Sequence, residues 1–93
     1  MIRSFADKQT AAVFEGYRVR ALPPHVLDIA RRKLKTIDAA KAIEDLRIPP
    51  ANRLEKLAGS LQGHWSIRIN DQWRICFRWH NGDAHDVRIA DYH

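Results

Sequence analysis

A chain of 93 residues has room for one domain with one thin core. Its composition is ordinary and globular at 45% hydrophobic and 29% charged, and no apolar run approaches a membrane span. The formal charge is +5, and eleven of the sixteen cations are arginine, whose planar fork suits phosphate better than the point charge of lysine. Residues 1–5 lack a leader's apolar stretch, so secretion is not expected. The lone Cys76 forms no internal disulfide and no zinc ribbon, which suits a reducing cytoplasm.

Repeats and low-complexity tracts are absent, so residues 1–93 read as a single domain, helical first and β later. The opening residues 1–5 suggest an edge strand. Ser4 and Asp7, three apart, resemble a capping box for a helix over 5–15, which Gly16 can end. Pro23 and Pro24 restart the chain at a helix N-terminus. Leu27, Ala30, Leu34 and Ile37 then form one apolar helical face. The run Arg31, Arg32, Lys33 and Lys35 covers much of the rest and reads as a solvated face, with a second RNA contact as the alternative. Asp38 is a candidate cap for a short helix carrying Ala42, Ile43 and Leu46, stopped by Pro49-Pro50.

Period-two alternation governs the second half, in strands over 65–69, 73–79 and 84–92, with a weaker candidate in 52–58. A two-residue turn at Asn81-Gly82 would put apolar and polar residues on the same side. A three-residue turn, Asn81-Gly82-Asp83, instead pairs Phe77 with Val87, Ile75 with Ile89 and Arg78 with Asp86. The same logic at Asn70-Asp71-Gln72 pairs Ile67 with Ile75 and Arg68 with Arg74. The expected fold is α+β: helices pack on the tryptophan-bearing face of an antiparallel sheet.

The opposite face gathers Arg68, Arg74, Arg78, Arg88 and Tyr92, with Asp86 as its one clear acid. Opposed Arg68 and Arg74 repel each other, so a bound phosphate is one expectation. The alternative is that the guanidiniums point apart or pair with Glu55 and Asp45. Alternation puts Tyr92 with the arginines but turns Asp91 and His93 away, unless the strand end bulges. Cys76 reads as a small buried residue. His25, His64, His80 and His85 have no ligand spacing, so no metal site is expected.

Residues 1–5, Asn52-Arg53-Leu54-Glu55-Lys56-Leu57, the stretch 65–77 and the terminal Asp91-Tyr92-His93 together resemble HigB toxins of the RelE/ParE superfamily. The likeness runs in order over nearly the whole chain. It implies helices packed on a mostly antiparallel twisted sheet. It also implies a cytoplasmic mRNA interferase acting in the ribosomal A site without cofactor or metal, and a HigA-like helix-turn-helix antitoxin as partner. Arg74, Asp91, Tyr92 and His93 match the family's functional positions. Glu55 and Ala58 stand where some relatives carry a histidine and a lysine.

Cleavage of RNA by its own 2′-hydroxyl needs a base, an acid and a cation for the phosphorane. On the resemblance, Arg74 faces the scissile phosphate, with Arg68 assisting, and His93 is acid or base. Tyr92 orients a nucleotide, Asp91 orients His93 or acts as base, and Glu55 is a further candidate base. Arg53, Lys56, Arg78 and Arg88 would hold RNA. So few groups imply that the ribosome orients the message. The competing classes are a ParE-like toxin that acts on gyrase by protein contact and an RNA-binding module without cleavage.

Overall fold

A computed structural model describes residues 1–59 and 63–92. Helix α1 spans Lys8–Glu15 and α2 spans Pro24–Ala39. Two 3-10 turns follow, Ile43–Arg47 and Pro50–Asn52, then strands β1 (Glu55–Lys56), β2 (His64–Arg68), β3 (Trp73–His80) and β4 (Asp83–Asp91).

The start of α1 corrects the capping-box expectation. Asp7 is the cap, its carboxylate accepting from Thr10 N–H at 2.7 Å. Ser4 lies outside the helix and accepts from Asp86 N–H at 2.9 Å. Gly16 ends the helix in the left-handed region at φ 100°. In α2 the expected face is buried: Leu27, Ala30, Leu34 and Ile37, joined by Val26. The helix runs past Asp38, which caps no second helix; its carboxylate accepts from Ile2 N–H at 2.8 Å. The next turn is organised by Asp45, which accepts from Lys41 and Ala42 N–H and so ionises below the usual carboxylate range.

Three of the four cations of the α2 run make intramolecular contacts, although Arg32 and Lys35 remain exposed. Arg31 donates to the Val13 carbonyl at 3.1 Å, Lys33 to Asn52, and the Lys35 ammonium sits 4.2 Å from the Phe14 ring centroid. Burial, with the Arg32 and Arg68 charges, lowers the Lys33 pKa.

The sheet order is β1-β2-β3-β4, with every neighbour antiparallel. Residues 1–5 border β4 through parallel bridges at Ile2–Ala84 and Phe5–Val87. The candidate in 52–58 contributes the two-residue β1. Ile67, Ile75, Phe77 and Val87 are fully buried beneath Val13, Val26, Leu34 and Ile37. Burying each such side chain contributes about 1.5–3 kcal/mol.

Expected pairings Arg68–Arg74, Ile67–Ile75 and Ile75–Ile89 are present. The hairpin is not the three-residue turn. His80 pairs with Asp83, Trp79 with Ala84 and Arg78 with His85, so Asn81-Gly82 is a two-residue turn. The register then shifts by one between Arg78 and Cys76. Asp86, at φ 53°, is the extra residue of a β-bulge. One bulge therefore restores the parity that the tight turn breaks, and Val87 still reaches the core.

Candidate functional site

Cross-strand partners leave an antiparallel sheet on the same side, so the register defines the face away from the helices. One row across it is Glu55, Ser66, Cys76 and Arg88; the next is Arg68, Arg74 and Ala90, with Tyr92 beyond. Glu55 is thus a second acid on this face besides Asp86.

Arg74 is the centre. Only 9% of the residue is exposed. Its Nε donates to Ser66 Oγ at 2.9 Å, and its Nη2 donates to the Arg53 carbonyl at 2.7 Å and the Ser66 carbonyl at 3.4 Å. Arg53 can turn its carbonyl inward because its backbone is left-handed, at φ 45°. Nη1 has the exposed Glu55 carboxylate at 3.9 Å.

Arg68 pairs with Asp71, and that guanidinium holds the Asp71 carboxyl below its ordinary range. The two opposed arginines are therefore parted by separate partners, and their register alone does not demand a bound anion. This answers the repulsion in the way the alternative reading anticipated for Glu55, whereas Asp45 is engaged elsewhere. Arg78 pairs with Asp86 at 3.5 Å in spite of the shifted register. Arg88 is half-buried and has no ion pair among the described residues.

Tyr92 lies over this floor, 41% exposed, with its hydroxyl 3.5 Å from Cys76 Sγ. Its N–H donates to the Gln72 carbonyl at 2.5 Å, fixing the chain end beside Arg74. The Cys76 contact and burial raise the phenol's pKa, while the Arg88 and Arg74 charges pull the other way. A phenol, two guanidiniums and a carboxylate thus converge, a set able to hold an anion and orient a ring.

The structure does not bring every candidate here. Lys56 pairs with Trp65 on the opposite face and sits 5.8 Å from that ring's centroid. Asp91 pairs with Trp73 and accepts from Gln72 Nε2 at 3.3 Å. It faces the helix side, at a cavity of about 200 Å³ shared with Thr10, Leu22 and Ile89. The bulge lies at Asp86 instead of the strand end, so it does not turn Asp91 round. His93 lies outside the described residues. Among the described residues no three His, Cys, Asp or Glu side chains converge to hold a metal ion. Sequence pattern alone does not single out Ser66 or the Arg53 carbonyl. The signal for Ser66 is a small polar residue alternating onto the arginine face.

The family of RelE-like HigB toxins of type II toxin–antitoxin systems matches residues 3–93. Toxin HigB-1 of Vibrio cholerae serotype O1 is 45% identical over 85 residues, covering 90% of each chain. Endoribonuclease HigB of Proteus vulgaris is 36% identical over 93 residues, covering all of both chains. The fold is shared with YoeB in the YoeB–YefM complex from Staphylococcus aureus at TM-score 0.62 and 18% identity, covering 100% of this chain and 98% of that one. Full-length agreement in sequence, on a fold with this sheet and chain end, settles the assignment: the chain belongs to the HigB family of RelE-like type II toxins.

Proposed function

We propose that this toxin is an endoribonuclease that cuts translated mRNA in the ribosomal A site by metal-independent acid–base chemistry. The observation that carries the reading is Tyr92 on the polar face, tied to Cys76 and within the fields of Arg74 and Arg88. The name of the Proteus vulgaris relative, an endoribonuclease, supports the reaction class.

In this reading the RNA 2′-hydroxyl loses a proton and attacks the adjacent phosphorus. The bond to the 5′ oxygen breaks, leaving a 2′,3′-cyclic phosphate and a 5′-hydroxyl. Arg74, held by Ser66, directs Nη1 at the phosphorane charge. Tyr92 orients the nucleotide, and Arg88 adds positive potential. Glu55 is the base nearest Arg74, and His93 is the acid that protonates the departing oxygen. Asp91, on the helix side of the sheet, is left out of this step, while Arg53, Arg68 and Arg78 contact flanking phosphates. The ribosome supplies substrate orientation. A HigA-like helix-turn-helix antitoxin in the same cytoplasm neutralises it.

Mapping mRNA ends after brief induction tests this. Discrete breaks inside codons, bearing cyclic phosphate, are expected from the wild type and not from Tyr92→Ala or a His93 deletion. Intact mRNA with a DNA-damage response would sink the reading in favour of a gyrase-directed toxin. Tight RNA binding with intact mRNA would sink it in favour of a binding module.

A further inference from the structure

The polar face continues past Cys76. One row further, His64, Arg78 and His85 are direct partners on β2, β3 and β4, so their side chains leave the sheet on the side that carries Tyr92. His80, two residues beyond Arg78 on β3, joins them: its ring meets the His85 ring edge-on with centroids 6.2 Å apart. Three of the chain's five histidines thus share one end of one face. None takes part in the site described above. His64 Nδ1 is buried and has no hydrogen-bond partner among the described residues, so this row carries a polar atom unmatched by them.

The charges around the row favour an anion. Arg78 has the exposed Asp86 at 3.5 Å, and Asp86 also meets Ser4 of the N-terminal segment. Asp83, at the hairpin end, is engaged by the N-terminal ammonium at 3.3 Å and Arg3 at 3.1 Å, which hold its carboxyl below the usual range. Arg88 stands in the row before, with no acid on it among the described residues. The nearby acids are thus matched by cations, and protonated imidazoles would leave the row net positive.

We propose that the His64–Arg78–His85 row, extended by His80, is a second contact for single-stranded RNA lying over the polar face, tightening as the imidazoles gain protons. Arginine takes a phosphate, and imidazole both stacks on a base and, once charged, adds a cation. Arg78 lies four steps along β3 from Arg74, about 14 Å along the strand. One RNA strand can therefore touch both. The proposal rests on the RNA reading of the face but not on cleavage.

The test uses the full-length toxin and a fluorescent single-stranded RNA, 2′-O-methylated throughout so that it cannot be cut. Affinity is measured by anisotropy at pH 5.5 and 7.5 over a salt series. Acid is expected to engage one more phosphate, raising affinity about fivefold at 0.1 M salt and steepening the log–log salt slope by about 0.7. His80→Gln/His85→Gln should lose this acid response, whereas His25→Gln, exposed on α2, should keep it. His80→Lys/His85→Lys should bind tightly at both pH values, which separates charge from packing. A wild type indifferent to pH, or a Gln double variant that responds like the wild type, overturns the proposal. Cyclic-phosphate ends and this acid response are read separately, so the nuclease reading and the histidine row can each fail alone.

Discussion

Arg74 Nε and Ser66 Oγ lie 2.9 Å apart across the β2–β3 pair, Ser66 fully buried and Arg74 nearly so. A guanidinium so buried must have its donors matched, and Ser66 with the Arg53 carbonyl supplies the matches. Ser66→Ala strips one of them and is expected to cost about 1–3 kcal/mol in denaturant unfolding. Ser66→Thr keeps the hydroxyl and should retain most of that stability. Arg74→Ala is expected to weaken the fold as well as the site, so its effect on growth is read beside its melting curve. Arg74→Lys keeps charge but loses the fork, and should lower toxicity more than stability.

Tyr92 and Cys76 give a prediction that needs no RNA. Their 3.5 Å contact is the first cause of the raised phenol pKa, with burial second. Ultraviolet titration in a Tyr17→Phe background isolates Tyr92, because the chain has two tyrosines. Cys76→Ala should let Tyr92 ionise at lower pH than the wild type, whereas Cys76→Ser should largely preserve the shift. The raised folded value means that the contact stabilises the fold below the ordinary phenol pKa of about 10 and fades as pH rises through the folded value. The melting temperatures of the wild type and Cys76→Ala should therefore converge as tyrosine ionises. Unchanged titration in Cys76→Ala would show that the contact does not govern the phenol.

Much of the fold is legible in the sequence because its apolar residues keep one period per element. Leu27, Ala30, Leu34 and Ile37 bury one helical face, and Ile67, Ile75 and Ile89 fix the sheet's core side. The hairpin departs from expectation for a specific reason. Parity treats both strands as regular, and on that footing it outweighs the Asn-Gly signal for a two-residue turn. A bulge at Asp86 satisfies both, but nothing in a period-two pattern marks which residue carries the left-handed backbone. At the site, alternation puts Arg74 and Tyr92 on one face. It cannot place the Arg53 carbonyl, which reaches Arg74 through a turn 21 residues away in sequence. An arginine on a polar face therefore reads as outward when most of its hydrogen bonds run inward.

The bulge itself can be probed. Asp86 holds φ 53°, a region that penalises side chains and β-branched ones most. Asp86→Val is expected to cost about 1–2 kcal/mol from backbone strain, beyond its lost ion pair with Arg78. Asp86→Gly loses the same pair but relieves the backbone, so it should be clearly more stable than Asp86→Val. Equal unfolding midpoints for the two variants would mean that the carboxylate contacts, and not the left-handed turn, select aspartate here.

Acid should loosen the seam between the N-terminal segment and β4. Asp83 accepts from Arg3 and meets the N-terminal ammonium, and the Arg3 hydrogen bond is the main cause of its lowered pKa. A lowered folded value stabilises the fold above the ordinary carboxylate pKa of about 3.9, and the benefit disappears as pH falls through the folded value. Asp83→Asn should consequently melt below the wild type at pH 6, with the gap closing at more acid pH. Salt should narrow the gap at pH 6, since Arg3 and the chain's amino terminus are exposed enough to be screened. A pH-independent difference would assign Asp83's role to hairpin geometry instead of charge, because asparagine preserves the shape of the side chain while removing the group that titrates.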